Sequence, residues 1–283
     1  MDFSIITYKY LLESLLNTDY LFQTFNQSLE EVINKSIILR HDVDLLPQNS
    51  LRFAKIQNSV GIKGSYYFRA VPESWDDRII KQIADLGHEV GYHYENMDTA
   101  YAKLKGKSLP AGKVGRKAKV ERNTAFYDKL LDVAYEDFCI NLEKLRKLVP
   151  VSTICMHGSP RSQFDNKELW TKYDYKSLDL IGEPYYDVDF DKVFYLTDTG
   201  RRWDGWKTSV RDKVPQQEEW IKQGLVFHST NDIIKAFENN KMPTSVMFTM
   251  HPQRWHRGGF PCVKEFVMQN IKNQIKRVFL VKK

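Results

Sequence analysis

The apolar positions change period along the chain, and each change marks an element. Ile5 to Lys35 carries apolar side chains at helical spacing, broken near Asn17–Asp19, which predicts a helical N-terminal extension over 1–35. Ser36-Ile37-Ile38-Leu39-Arg40-His41-Asp42 is then a short apolar run ending in polar residues, the pattern of a strand buried in a parallel sheet. Helical spacing returns over 49–60, with Gly61 placed to end that helix, and over 76–86, followed by Gly87. Ser65-Tyr66-Tyr67-Phe68-Arg69 and Glu89-Val90-Gly91-Tyr92-His93 read as the second and third strands. A long amphipathic helix is predicted over 124–148, strands over 151–156, 193–197 and 245–250, and helices over 231–239 and 260–276. Strands alternating with helices, without a repeat or a dividing linker, predict one α/β domain over 1–283 on a parallel sheet. This many units predict a barrel.

The chemistry gathers at the strand ends. Strand after strand closes on an ionisable residue: Arg40-His41-Asp42, Arg69, His93, His157, Asp198 and His251. In α/β barrels the active site forms at these C-terminal ends, and lone buried charges are costly unless paired. Residues two apart in an extended chain share a side, so Asp42 and Asp44 converge and repel unless a cation or proton lies between them. The competing role for Asp44 is to cap the turn before Pro47. His93 and Glu95 share a side by the same alternation, and imidazole with carboxylate is a transition-metal ligand set. His88 begins its strand and is expected at the opposite end, in a structural role.

Three loops add to this picture. Met156-His157-Gly158-Ser159-Pro160 sets an imidazole and a hydroxyl beside a turn. Asp198-Thr199-Gly200-Arg201-Arg202-Trp203 and His251-Pro252-Gln253-Arg254-Trp255 each join a polar anchor to Arg and Trp. That combination suits a sugar ring carrying an anionic group, with ordinary loop packing as the competing reading of Trp203 and Trp255. No GxSxG elbow, Walker loop or Rossmann GxGxxG occurs, which leaves serine hydrolysis, nucleotide hydrolysis and hydride transfer without support.

Composition narrows the classes further. With 42% hydrophobic and 28% charged residues over 283 positions, the chain can bury a large core, and disorder is excluded as its main state. Three cysteines, Cys139, Cys155 and Cys262, are far apart and form no CxxC pair, so they are expected to be reduced thiols. No apolar run approaches the ~18–20 residues of a membrane span, and the N-terminus lacks the basic-then-apolar pattern of a secretory signal. The expectation is a cytoplasmic protein with no membrane span. The net charge of +6 is local: residues 103–122 hold eight basic residues against Glu121 alone. This stretch, read as a basic loop insertion over 98–123, is either a solvated lid or a means of capturing an anionic group such as phosphate. Nucleic acid is not the expected partner, because no aromatic residues interleave the charges.

The ordered set Arg40-His41-Asp42-Val43-Asp44, Tyr66-Tyr67-Phe68-Arg69, Gly87-His88-Glu89-Val90-Gly91-Tyr92-His93 and His251-Pro252 resembles the polysaccharide deacetylase (NodB homology) superfamily. The likeness runs from about residue 36 to 255. Tyr92-His93-Tyr94-Glu95, Met156-His157-Gly158-Ser159-Pro160, Thr197-Asp198-Thr199-Gly200-Arg201 and His251-Pro252-Gln253-Arg254-Trp255 look like the WbmS-like branch found with surface-polysaccharide genes. The resemblance implies a distorted (β/α) barrel of about seven parallel strands. It implies a hydrolase that removes an N-acyl group, acetyl first, from a small-molecule or lipid-linked amino sugar. By position Asp42 matches the catalytic base and His251 the late catalytic His; Asp44 and His93 match ligands of a divalent metal ion, zinc first. Two departures stand out. Val43 separates aspartates that are adjacent in the family, and Met97 occupies the place of the second metal-binding His. A thioether is a poor ligand for such an ion, so Glu95 is the nearest replacement and His157 the next. Arg40, Arg69, Arg161, Asp198, Arg202, Trp203, Arg254 and Trp255 are the expected substrate contacts. The alternatives are a non-catalytic carbohydrate-binding protein on a degenerate deacetylase fold, or metal-free sugar-modifying chemistry in the same pocket.

Overall fold

The computed structural model describes residues 2–106, 120–122, 124–159, 162–203 and 214–256. Seven parallel strands form one sheet: β1 (Leu21–Gln23), β2 (Ser36–Val43), β3 (Ser65–Phe68), β4 (Glu89–Tyr94), β5 (Ile154–Met156), β6 (Phe194–Thr197) and β7 (Ser245–Met250). Their order is β5-β4-β3-β2-β7-β6, with β1 beside β2. The sheet curls into a half-barrel whose strand order ends at β5 and β6 among the described residues, and the chain at Ile181 and Gly182 hydrogen-bonds along the outer side of β5. Strand β2 is central and buried along its whole length, as its unbroken apolar run requires in a sheet covered on both faces. It divides one edge between two neighbours. Leu21–Gln23 pairs with its first residues, and Ser65–Phe68 pairs with Arg40–Val43.

Helices α1 (Ile5–Leu16), α2 (Phe25–Glu30), α3 (Pro47–Ser59), α4 (Asp77–Asp85), α5 (Asn96–Leu104), α6 (Ala125–Arg146), α7 (Pro184–Asp187), α8 (Gln217–Lys222) and α9 (Thr230–Glu238) connect the strands. Among the described residues no helix is long and apolar enough to cross a membrane. Helix α4 shows how local sequence sets an element: the Asp76 carboxylate accepts the Ile79 N–H to cap it, and Ile79, Ile80 and Ile83 bury one face.

Two expectations change here. The 1–35 segment is not wholly helical: Leu21-Phe22-Gln23 is a strand within the sheet, because the first half of β2 offers backbone groups that need partners. The range read as a loop from residue 98 begins as α5, which buries Met97, Ala100, Tyr101 and Ala102. The helix expected over 260–276, Cys262 and residues 107–119 of the basic stretch lie outside the described residues.

Alternation sorts the strand residues between two faces. On the helix-covered face His41 stacks on Tyr66 at 4.1 Å between centroids. Its Nδ1–H donates to the Ser65 carbonyl (3.1 Å), and Nε2 accepts from the Gln57 amide (3.1 Å). On the concave face lie Arg40, Asp42, Tyr67, Gly91 and His93. Gly91 is required there. A Cβ at that position would lie 2.4 Å from Tyr67 Cε1 and 2.7 Å from the Thr153 carbonyl oxygen.

Candidate metal and catalytic site

Asp42 is the last residue but one of strand β2, and the chain then turns through Asp44, whose N–H donates to the Asp42 carbonyl (3.1 Å). β4 delivers His93 and the residue after β5 is His157, so three ligand-type atoms meet. His157 Nδ1 lies 3.2 Å from Asp44 Oδ1 and 3.2 Å from His93 Nε2. His93 Nε2 lies 3.6 Å from Asp44 Oδ1. Four-coordinate zinc with bonds of 2.0–2.1 Å places its ligand atoms about 3.3 Å apart, so the trio has the separations such an ion needs. A second observation agrees. Asp44 Oδ1 is buried and has no hydrogen bond, a costly state for a carboxylate oxygen without a cation. The ring of His93 is also set for ligation: Nδ1 faces the Cys155 carbonyl at 2.9 Å, which directs the lone pair of Nε2 into the trio.

The electrostatics follow from these contacts. Burial alone would raise the Asp44 pKa, but His157, His93 and His251 outweigh it and hold the carboxylate well below its usual range. Burial would lower His157; Asp44, by charge and contact, reverses this and raises it.

Two supporting pairs flank the trio. Arg40 Nε and Nη2 donate to Asp42 Oδ1 (2.8 Å) and Oδ2 (2.6 Å), leaving Asp42 Oδ2 3.8 Å from His93 Nε2. Asp198 Oδ1 lies 2.6 Å from His251 Nδ1, and Asp198 Oδ2 accepts the His251 backbone N–H at 2.8 Å. His251 Nε2 then stands 3.9 Å from Asp44 Oδ2. Burial and the Arg254 guanidinium oppose a charged His251, yet Asp198 and Asp44 outweigh both, so its pKa is raised.

The structure therefore gathers Asp42, Asp44, Arg69, His93, Glu95, His157, Asp198, His251 and Arg254 at one end of the sheet, and corrects several expected roles. Glu95 is outside the trio, because Arg69 Nε and Nη2 hold its two oxygens at 2.8 and 2.7 Å. The same bonds engage Arg69 itself. Arg40 is an interior partner of Asp42 rather than a substrate contact, with none of its surface exposed. Asp198 is likewise closed to substrate, since His251, Arg254 and Trp255 converge on it. Trp203 and Trp255 offer no ring face to a sugar: both are wholly buried, packed with each other and with Phe3. Their indole N–H groups donate to Thr230 and Asp198. Met97 packs into the core. Arg202 lies against His228, and Arg161 is outside the described residues. His88 is structural as expected: Nδ1 accepts the Gly64 N–H and Nε2–H reaches the Ala54 carbonyl.

Sequence reasoning missed two residues. Gln253 Nε2 donates to Asp44 Oδ2 at 3.0 Å; it stood in the His251-Pro252-Gln253 motif without a role. Glu183, wholly buried, accepts the Met156 N–H (3.0 Å) and so fixes the chain just before His157. Burial pushes its pKa up to about 7. A single Glu between predicted strands carries no signal of that kind.

No family model and no curated protein matches the chain. Among solved structures it is similar to a mutant of BA3943 described as a CE4 family pseudoenzyme with restored enzymatic activity. The two share 12% identity with a TM-score of 0.40, over 87% of this chain and 65% of that one. It is similar also to wild-type BA3943, a CE4 family pseudoenzyme from Bacillus anthracis, at 12% identity and a TM-score of 0.38, over 87% and 63%. The chain thus spans less than two thirds of these proteins' length.

Proposed function

We propose that this protein is a metal-dependent hydrolase of the polysaccharide deacetylase superfamily, WbmS-like branch. It removes an N-acyl group, acetyl first, from an amino sugar in a cytoplasmic precursor of surface polysaccharide. The observation that carries this reading is the Asp44–His93–His157 trio, with the orphaned Asp44 Oδ1 at its centre and an anchored carboxylate and imidazole on either side.

Those three residues would hold the divalent ion, zinc first. When bound it supplies a Lewis acid for an amide carbonyl and for water. The remaining chemistry belongs to the chain. Asp42 takes the proton of the attacking water; Arg40 uses one lone pair on each of its oxygens and fixes the carboxylate plane, leaving others to accept. His251 gives a proton to the departing amine from Nε2, while Asp198 holds Nδ1. Its raised pKa suits that role. Arg254, partly exposed beside His251 with Nη1 bonded to Asp198 and Thr199, would meet an anionic group on the sugar through its remaining donors; Arg161 and Arg202 are further candidates.

The test combines elemental analysis with acetate release from N-acetylated sugar nucleotides. About one equivalent of divalent ion is expected in the wild type, lost in Asp44→Ala and His157→Ala. It should be retained in Asp42→Asn, where acetate release disappears. Saturable glycan binding without metal uptake or acetate release would make this a carbohydrate-binding protein instead.

A further inference from the structure

The two oxygens of Asp44 face different neighbours. Oδ1 lies 3.2 Å from His157 Nδ1 and 3.6 Å from His93 Nε2, and has no hydrogen bond. Oδ2 accepts from Gln253 Nε2 at 3.0 Å and stands 3.9 Å from His251 Nε2. We propose that Gln253 is a positioning residue: it confines Asp44 to one ligand oxygen, and so sets the preference of the site for a four-coordinate ion such as zinc over ions of higher coordination number. The inference rests on the metal-dependent function proposed above.

The main chain of Asp44 is already fixed. Its N–H donates to the Asp42 carbonyl (3.1 Å), and its own carbonyl accepts from Arg69 Nη1 (3.0 Å). What remains is the terminal torsion of the carboxylate, which has a broad profile of its own. Turning it would bring Oδ2 toward the imidazoles beside Oδ1, and both oxygens could then chelate one ion. The Gln253 amide opposes that turn, and its own place is stiff. It lies in the 3₁₀ turn Pro252–Arg254, directly after a proline. The next two residues are tied down, since Arg254 Nη1 and Trp255 Nε1 both donate to Asp198. The orientation of the amide is forced as well, because only Nε2 can donate to a carboxylate. Gln253 Oε1 is thereby left buried without a hydrogen bond, a cost that an apolar side chain at this position would avoid. The number of donors then decides the ion. Two imidazoles and one carboxylate oxygen leave a fourth place open, the arrangement of catalytic zinc. A chelating Asp44 would add a donor and suit manganese, which prefers octahedral surroundings.

The experiment titrates cobalt, zinc and manganese separately into the full chain, as wild type, Gln253→Leu and Gln253→Ala. Cobalt reports geometry, because its visible absorption is strong when four-coordinate and weak at higher coordination number. Strong absorption is expected in the wild type and weak absorption in both variants. Zinc affinity should fall by about 10–100-fold, the cost of losing an outer-shell partner. Manganese affinity should fall less, so that the zinc-to-manganese ratio drops. Strong absorption with an unchanged ratio in the variants overturns the inference while leaving the hydrolase reading in place, and so does weak absorption already in the wild type. An equal loss of zinc and manganese makes Gln253 a support of the fold alone and overturns it too. Failure of the wild type to take up any of the three ions overturns the hydrolase reading itself, and the inference with it.

Discussion

At the residue scale, the site depends on which carboxylate keeps an oxygen that no donor satisfies. Asp42, Asp44 and Glu95 are close in sequence and alike in chemistry. Arg40 engages the first and Arg69 the third at both oxygens, while Asp44 keeps one oxygen without a hydrogen bond. A cation therefore gains most at Asp44. This predicts that Glu95→Gln keeps its full metal content, because Glu95 supplies no ligand atom. His157→Ala should lose it, although His157 is much farther from His93 in sequence. Metal loss in Glu95→Gln with retention in His157→Ala would reverse the assignment of the third ligand. Asp42 and Asp44 were legible as a pair because they are two apart in sequence, although Asp44 lies past the end of β2, where its N–H turns back to the Asp42 carbonyl. The partners of Asp44 and Glu95 were not, because Arg69, Gln253 and His157 arrive from the ends of other strands.

At the element scale, the concave face works because β4 and β5 approach closely beside β3. Gly91 permits it: Tyr67 fills the space a side chain would take, and its hydroxyl meets Thr153 Oγ1 at 3.0 Å. Gly91→Ala should cost about 1–3 kcal/mol by overpacking, since one of the atoms met is backbone and cannot rotate away. It should also spread β4 from β5 and weaken metal binding, because His93 and His157 follow on those strands. Urea midpoints with parallel metal titrations would show this, and an unchanged midpoint would mean that the strands yield freely. Six of the seven strands, and their parallel pairing, agree with the pattern in the sequence. β1 was hidden, since three residues are too few to break a helical period. The cover on the β5 edge was hidden too: a chain segment at Ile181 and Gly182, with no strand signal, hydrogen-bonds along β5.

At the scale of the whole molecule, buried histidines make stability depend on pH. Burial lowers His41 to about 3 and His88 to about 4. The unfolded chain takes up these protons below about pH 6.5, while the fold refuses them until about pH 4 and then about pH 3. Their contribution is thus fully present above pH 6.5 and is lost as pH falls toward those values. Glu183, raised to about 7 from an ordinary value near 4.5, has the opposite slope between those limits. Glu89 and Asp137, also raised by burial, share the sign of Glu183, so the histidine contribution is read by substitution: His88→Gln should lose less urea midpoint, or gain more, than the wild type between about pH 6.5 and 4.5. A pH dependence identical to that of the wild type would refute the account. The sequence alone determined the periods of its elements, the parallel α/β class and the row of ionisable strand ends, because each depends on spacing along one chain. Only the tertiary structure decided that Trp203 and Trp255 face the core, that Arg40 and Arg69 are spent on carboxylates, and that His157 completes the trio. Those outcomes turn on which strands lie side by side and which polar atoms find a partner there, and a one-dimensional pattern carries neither.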